Sequence, residues 1–454
     1  MKRIWMAAAA LGLALTLCSC SLLNVRMDEP QTSADVKTVE PEQTQAAQPT
    51  PEAAVPPTGE EPAALTANNS GNLAAGGHMA MDAQGALYAA RGDGIYKQDA
   101  QGLRKISQEN ASDLNVCGDR LIFVSSVWTD FTGKQSIVST DLEGGDRKVL
   151  AEEAPVEAAV RYSDDYSEVS ATYYEGYTDV AVWDGYIYYV AGNGNSGTQE
   201  MYNPYESKNV AVTWYSEKSI YRMPVGGGEA EELVKNLGNG DAHLAVAEGR
   251  LWYTTSHDSW VYGYPVTTFH SCALDGTDDR LLYGDGTLTS PDATRELVDG
   301  LFVSDGVLYA SAYDTEGDFP DGRLMCVRNG EYEHLGEETY HVPATVDGQG
   351  RLYWFVSDGD VQWETDAEGV VMEEYHTNAR LIRTQSGSDL TGGEELIRFE
   401  KLVRFGEDFS SFEVYALDGK AYALTDDDVY LLENGAAAEV MDLPEVDDDA
   451  MYAD

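Results

Sequence analysis

Carboxylates are the side chains with the greatest capacity for chemistry in this sequence, since 79 Asp and Glu stand against 29 Lys and Arg. One run alternates them, with Asp314, Glu316 and Asp318 separated by single residues. Oxygen ligands at alternating positions suit Ca²⁺, so these three are candidate calcium ligands. The run lacks the glycine and the closing glutamate of an EF-hand loop, and so acidic a chain contains acidic loops by chance. We therefore expect no cofactor, with a calcium ion bound by these three residues as the alternative.

Catalysis has little support from the other residue types. A carboxylate pair would suit glycoside cleavage, but such pairing is spatial and the sequence selects no pair. The segment Gly194-Asn195-Ser196-Gly197 departs from a Gly-x-Ser-x-Gly elbow. The seven histidines form no His-x-His, His-Glu-x-x-His or Cys/His cluster. The sequence thus favours a non-catalytic protein, with a polysaccharide hydrolase or lyase as the alternative.

Aromatic residues are concentrated in segments predicted to link strands. Flat rings on a rigid surface suit stacking against sugars or engaging peptide side chains. The candidate ligand-binding residues are Trp128, Trp214, Trp260, Trp363, Tyr202, Tyr205 and Tyr264. The alternative is that the long links form small cores of their own, which these rings fill.

Residues 1–19 have the pattern of an export signal, with Lys2 and Arg3 before a short apolar stretch. The segment Leu17-Cys18-Ser19-Cys20 resembles the lipobox of bacterial lipoproteins. That resemblance implies that Cys20 becomes the lipid-modified N-terminus and holds the protein on the extracellular face of the cell membrane. The alternative is an ordinary secretory signal with incidental cysteines. A transmembrane anchor is not expected, because no run of about 20 apolar residues occurs.

The charge balance narrows the range of partners. A formal net charge of −50 excludes nucleic acid, because phosphate contacts require Lys and Arg. The same deficit argues against docking of a folded region on an anionic membrane. The predicted partners are therefore the membrane, through the lipid anchor, and an extracellular glycan, peptide or protein.

Residues 20–75 form the lipidated cysteine and a spacer of different composition. Seven of the 15 prolines lie here among Gln, Thr, Glu and Ala, with very few aromatic or branched apolar residues. Such a segment cannot bury enough surface to offset its ordering entropy, so we expect a disordered tether.

A short signature recurs seven times after the tether: a glycine, then a cluster of Leu, Ile or aromatic residues. Its anchor glycines are Gly85, Gly118, Gly185, Gly249, Gly306, Gly350 and Gly419. Each copy is preceded by a short strand and followed by a run that turns, often at Asn-Gly or Asp-Gly, and returns. Every unit therefore predicts four antiparallel strands.

Seven such units over residues 76–443 predict an all-β fold, a seven-bladed β-propeller of four-stranded antiparallel blades, followed by an acidic tail over 444–454. Runs such as Ile187-Tyr188-Tyr189-Val190 are apolar at consecutive positions, as expected when both faces of a sheet are buried. Separate immunoglobulin-like sandwiches are the alternative. The ring would close by packing alone or with help from residues 62–75.

The insertions between strands point to one surface. They fall mostly in the links from second to third strands and in the links between units, which emerge at one edge of a four-stranded blade. We therefore expect a loop-rich recognition face on a rigid scaffold.

The phrases Gly-x-Ile-Tyr-Tyr and Ile-Tyr-Arg-Met resemble those of propeller-type domains of unknown function on lipoproteins of Gram-positive bacteria. The resemblance covers roughly residues 80–443, and its motifs are structural. It implies a β-propeller fold and a lipid-anchored surface location, but no activity.

Overall fold

A computed structural model describes residues 68–129, 132–161, 168–174, 176–192, 197–203, 208–214, 217–238, 240–259, 264–284, 297–313, 322–335, 345–356, 362–365, 371–385, 393–405, 412–425 and 428–444. The chain divides into two units, Met1–Pro62 and Ala63–Asp454, and all described residues lie in the second. The predicted signal peptide, Cys20 and the tether up to residue 67 lie outside the described residues. In the part of the chain that is described, no helix is long and apolar enough to span a bilayer.

The first four blades follow a short helix, α1 (Ser70–Ala74). Blade 1 comprises β1 (Met79–Met81), β2 (Leu87–Arg91), β3 (Gly94–Asp99) and β4 (Gly102–Ser107). Blade 2 comprises β5 (Asn110–Cys117), β6 (Arg120–Thr129), β7 (Thr132–Asp141) and β8 (Lys148–Glu152), and a separate hairpin of β9 (Val156–Arg161) and β10 (Glu168–Tyr173) follows. Blade 3 begins with β11 (Tyr177–Trp183) and β12 (Tyr186–Gly192), continues through an inserted hairpin of β13 (Gly197–Asn203) and β14 (Lys208–Trp214), and ends with β15 (Lys218–Pro224) and β16 (Glu231–Val234). Blade 4 comprises β17 (Leu244–Ala247), β18 (Arg250–Ser259), β19 (Tyr264–Ala273) and β20 (Arg280–Tyr283).

The last three blades repeat the plan. Blade 5 comprises β21 (Leu297–Ser304), β22 (Val307–Tyr313), β23 (Gly322–Arg328) and β24 (Glu331–His334). Blade 6 comprises β25 (Thr345–Val346), β26 (Arg351–Val356), the extra strand β27 (Gln362–Thr365), β28 (Val371–Gln385) and β29 (Glu394–Phe405). Blade 7 comprises β30 (Phe412–Leu417), β31 (Lys420–Thr425), β32 (Asp428–Glu433) and β33 (Ala436–Asp442).

Each blade is an antiparallel sheet whose four strands lie side by side in chain order. Blade 6 departs from the plan only in β27, which pairs with the extended first half of β28. The prediction of a seven-bladed β-propeller with four-stranded blades is therefore confirmed.

The recurring signature has a simple cause in the backbone. All seven anchor glycines have positive φ, between 63° and 83°, at the turn from first to second strand. In four blades the preceding residue also has positive φ, as in Asp184 (48°) and Asp418 (49°), so these turns require two left-handed residues in succession. Only a residue without a Cβ adopts this conformation freely, which explains why glycine marks every blade.

The seven first strands line the centre of the ring. Each contacts the first strand of the next blade, in the cyclic order β1, β5, β11, β17, β21, β25, β30 and back to β1. Among the described residues seven hydrophobic clusters lie at the seven junctions between neighbouring blades. Every blade is thus buried on both faces, as its consecutive apolar residues predicted.

The ring closes without a shared strand. Blades 1 and 7 each contain four strands from their own part of the chain, and a cluster including Met79, Leu87, Tyr415 and Met441 packs between them. Residues Asn68–Gly77 enter the centre of the ring, and helix α1 contacts β11, β17, β21, β25 and β30. We call residues Asn68–Gly77 the axial segment.

The folded unit therefore begins earlier than residue 76. The boundary expected after residue 75 is corrected, because residues 70–73 are buried among the first strands and belong to the propeller. Their small and polar composition resembles that of a tether, but these side chains bind backbone atoms of the ring. At the other end, Pro444 is the last described residue, and the rest of the predicted acidic tail lies outside the described part.

Candidate functional site

The antiparallel blades give the propeller two distinct edges. The anchor-glycine turns and the turns between third and fourth strands lie at one edge, which we call the lower rim. The first strands begin at the opposite edge, the upper rim, and the links from second to third strands and from blade to blade also lie there. The hairpins β6–β7, β13–β14 and β18–β19 and the paired strands β27–β28 extend this rim.

Ionisable side chains gather where the first strands begin. In six blades a His, Asp or Glu lies five to seven residues before the anchor glycine. We call this set the mouth ring: His78, Asp113, Asp179, His243, Asp299 and Glu413. In blade 6 the corresponding positions are Pro343, Ala344 and Thr345, so this blade contributes no ionisable residue at that spacing.

Three members of the mouth ring sit at β-bulges. The pairing register shifts next to Asp113, Asp179 and Asp299, in blades 2, 3 and 5. Asp113 and Asp179 have φ values of 51° and 53°, in the left-handed region that aspartate tolerates better than most residues. A bulge changes the direction of a strand residue's side chain, and the same local distortion therefore orients the Asp side chain in all three blades.

His78 and Glu413 join the first and last blades. The His78 Nδ1 atom lies 2.8 Å from a Glu413 carboxylate oxygen, and each side chain is 32% exposed. The Tyr415 hydroxyl accepts a hydrogen bond from the His78 backbone N–H at 3.1 Å and also lies against the Glu413 carboxylate. Burial disfavours the charged imidazole, but the Glu413 carboxylate and, more weakly, Asp113 outweigh this and raise the pKa of His78.

Asp113 lies beside this pair and is 8% exposed. Burial, and after it the neighbouring Asp179 carboxylate, raise the pKa of Asp113 to about 8. His78 and the Val180 backbone N–H act in the opposite direction but do not compensate. Asp113 is consequently a neutral carboxylic acid at pH 7.

Asp179 and His243 form the second His–carboxylate pair. The His243 Nδ1 atom lies 3.0 Å from Asp179 Oδ2, which also accepts the Leu244 backbone N–H at 2.9 Å. Both side chains are about 10% exposed. Burial lowers the pKa of His243, but Asp179, with smaller contributions from Asp299 and Asp241, raises it above the ordinary value.

The mouth ring therefore places a proton-bearing Asp113 between two His–carboxylate pairs. Such an arrangement can donate and accept protons near neutral pH, and it presents carboxylates to a cationic or hydroxyl-bearing group. The same pairs also join the first strands of neighbouring blades, so the ring contributes to the structure as well.

Five of the seven predicted aromatic residues lie on described strands, distributed over four strand pairs of the upper rim, with Tyr202 and Trp214 on the same hairpin. Trp363 lies on β27 with its side chain 60% exposed. The other predicted positions on described strands are Trp128 near the end of β6, Tyr202 on β13, Trp214 at the end of β14 and Tyr264 at the start of β19. Tyr205 and Trp260 lie outside the described residues.

The predicted calcium ligands Asp314, Glu316 and Asp318 also lie outside the described residues. Within the described ranges, no group of three or more His, Cys, Asp or Glu side chains is placed to hold a metal ion.

The mouth ring corresponds to no local motif in the sequence, because its His–carboxylate pairs form between blades. Asp179 and His243 are 64 residues apart, and His78 and Glu413 are 335 apart. One signal was present in the sequence. When the units are aligned on their anchor glycines, a His, Asp or Glu recurs in six of them, directly before the first strand or within it.

No protein-family model matches the chain, and no curated protein matches it either. Among solved structures, the chain is similar to the β-propeller domain of the Trilobed protease from Pyrococcus furiosus, at 11% identity and a TM-score of 0.38, covering 72% of this chain and 82% of that one. It is similar to a putative TolB from Agrobacterium tumefaciens, at 13% identity and a TM-score of 0.32, over 60% of this chain and 80% of that one. An oligogalacturonate lyase solved in complex with manganese is 13% identical with a TM-score of 0.36, over 84% of this chain and 91% of that one. At these identities and TM-scores the similarities identify no family and no activity.

Proposed function

We propose that this protein is a lipid-anchored surface protein that binds an extracellular glycan, peptide or protein at the upper rim. The observation that carries the proposal is the convergence of the extended hairpins of blades 2, 3, 4 and 6 on the rim that surrounds the mouth ring. A rigid ring that concentrates its variable segments at one edge is a common arrangement for recognition. With a net charge of −50, the ligand is expected to be cationic or uncharged.

Trp363 supports the proposal of a binding surface at the upper rim. A tryptophan with 60% of its surface exposed leaves a large apolar area in water, and such residues are frequent anchors at binding surfaces. Tyr186, which follows an anchor glycine on the lower rim, is 38% exposed and provides a matched control.

The test is binding of the full-length protein to glycan and cationic-peptide arrays. We expect Trp363→Ala to weaken binding at least tenfold and Tyr186→Ala to leave it unchanged, with both variants remaining folded. Equal losses in the two variants, or no ligand among either class of probe, would contradict the proposal.

The anchor is tested separately. If Cys20 carries the lipid, the wild-type protein sediments with membranes, and Cys20→Ser abolishes lipid incorporation and releases it or leaves it unprocessed. Unchanged lipid labelling of Cys20→Ser would contradict this part of the proposal.

A polysaccharide hydrolase or lyase is the second candidate, and Asp113 is the observation that favours it. An Asp that keeps its proton at pH 7 can act as a general acid, and the partly exposed His78 and Glu413 show that the mouth ring is accessible to solvent. The assay follows reducing ends and unsaturated products from a panel of neutral and acidic polysaccharides. Turnover that is lost in Asp113→Asn but kept in Asp119→Asn, an exposed position in the adjacent turn, would establish the enzyme, whereas binding without product supports the first candidate.

A further inference from the structure

The axial segment is bound more extensively than its length suggests. Asn72 is fully buried, and its side chain makes four hydrogen bonds, the full number that an amide side chain forms with two donors and two acceptor positions. Its Oδ1 accepts from the Ala416 backbone N–H at 2.8 Å and from the Thr345 hydroxyl at 2.8 Å. Its Nδ2 donates to the Ala416 carbonyl at 3.0 Å and to Asn68 Oδ1 at 2.8 Å. Asn72 thus pairs with β30 as a neighbouring strand would.

Close packing fixes the helix against blades 5 and 6. A Cβ on Gly71 would lie 2.4 Å from the Val346 backbone nitrogen and 2.8 Å from the Thr345 hydroxyl. The Ser70 hydroxyl accepts the Val303 backbone N–H at 3.2 Å. At this position the backbone of β25 leaves room for a glycine and for no larger residue.

Apolar contacts attach the segment to blades 3 and 4. Leu73 is 6% exposed and belongs to the cluster that contains Ala181 and Tyr188 of blade 3 and Leu244 and Val246 of blade 4. The side chain therefore fills a pocket between two blades, where burial of a leucine is strongly favourable.

Hydrogen bonds to backbone groups of the ring attach both ends of the segment to blades 1 and 2. Asn68 Nδ2 donates to the carbonyls of Met79 at 2.6 Å and Leu114 at 2.9 Å. The Leu114 N–H donates to the Gly77 carbonyl at 2.8 Å. On the seventh blade, the Tyr415 hydroxyl lies 2.8 Å from the Ala75 carbonyl oxygen. The ten residues of the axial segment therefore contact all seven blades.

We propose that the central channel is a peptide-binding site whose ligand is the chain's own axial segment, and that its occupancy keeps the ring closed. Among the described strands, the first and last blades share none, so no backbone strand pairing joins the two ends of the ring there. The axial segment supplies that connection from inside, because Asn72 and Asn69 bind β30 while Asn68 binds β1 and β5. The recognised ligand is an Asn-Ser-Gly-Asn-Leu peptide, which is bound through backbone groups of the first strands.

The first test displaces the segment in the full-length protein. Gly71→Ala introduces a methyl group that collides with β25 backbone, whereas Gly348→Ala, in the turn of the same blade, adds a methyl group in open space. We expect Gly71→Ala to lower the melting temperature by several degrees and Gly348→Ala to leave it within a degree of wild type. Equal melting temperatures for the two variants would overturn the proposal.

The second test supplies the ligand in trans as a fluorescent peptide with the sequence of residues 68–77. We expect the peptide to bind the Gly71→Ala protein, to raise its melting temperature, and to bind wild type at least tenfold more weakly because that channel is occupied. The same peptide carrying Asn72→Ala should neither bind nor stabilise. Should Gly71→Ala be recovered only unfolded, refolding is compared with and without the peptide: recovery that needs the wild-type peptide supports the proposal, and equal recovery overturns it.

Discussion

Replacing Asp113 by Asn should stabilise this protein, and the gain should grow with pH. The folded-state pKa of Asp113 is about 8, against 3.8 for an unperturbed aspartate. The folded protein therefore retains a proton that the unfolded chain has released across the window from about pH 4 to pH 8. Stability associated with this group is present below the lower pKa and is lost as the pH rises towards the upper one.

The magnitude follows from the linkage relation. Each pH unit in this window costs about 1.4 kcal/mol, so at pH 7, about three units above the unfolded pKa, the cost reaches on the order of 4 kcal/mol. At pH 5 the same reasoning gives about 2 kcal/mol. Asparagine has the shape of the protonated acid, tolerates the φ of 51° at this position and needs no proton. Asp113→Asn should therefore recover most of that cost.

The assay is urea unfolding of the full-length protein at pH 5 and pH 7. We expect the stabilisation by Asp113→Asn to be about 3 kcal/mol larger at pH 7 than at pH 5, which is two pH units at about 1.4 kcal/mol each. The matched control is Asp119→Asn, because Asp119 is exposed in the turn that follows the same strand. A gain that is absent, or that is identical at the two pH values, would refute the assignment of a buried, protonated acid at position 113.

Two further predictions concern titration and reactivity. Glu413→Gln removes the charge that counteracts the burial of His78, so the pKa of His78 should fall, as measured by NMR titration of its ring protons; an unchanged or raised value would contradict the pairing. The stability that protonated His78 contributes is complete below about pH 6.5 and is lost as the pH rises through its folded pKa, so Glu413→Gln should destabilise more at pH 6 than at pH 9. Burial raises the pKa of Cys272 to about 12 and that of Cys326 to about 11, so neither thiol should react with a maleimide at pH 8 until the protein unfolds, and rapid labelling of the native protein would show that these strands are not buried.

Much of the architecture was predictable from local chemistry. The anchor glycines mark turns that require positive φ, and the consecutive apolar residues mark sheets buried on both sides, so fold class, blade number and the four strands of each blade follow from the sequence. The inserted hairpins β9–β10 and β13–β14 and the extra strand β27 do not. The burial of Trp252 and Trp354 was predictable in the same way, because both lie in the apolar strand that follows an anchor glycine, and both are less than 10% exposed.

The axial segment was not predictable in the same way. Asn68, Asn69, Ser70 and Gly71 have the composition of a flexible linker, and their order comes from hydrogen bonds to residues up to 347 positions away. Composition measures how much apolar surface a segment can bury, but this segment is held largely by backbone groups of the ring. The mouth ring escaped prediction for a related reason, because a His–Asp pair between blades leaves no fixed spacing in the sequence.

The central claim is that seven blades close around an occupied channel, with the mouth ring at its upper end. Hydrogen exchange of the axial segment, followed by mass spectrometry on peptides covering residues 68–77, tests it most directly. The amides of Leu73 and Ala75 donate to the carbonyls of Asn69 and Gly71 inside the ring, so they should exchange as slowly as the first strands of blades 1 and 7. Exchange within seconds under native conditions, while those strands remain protected, would contradict the account.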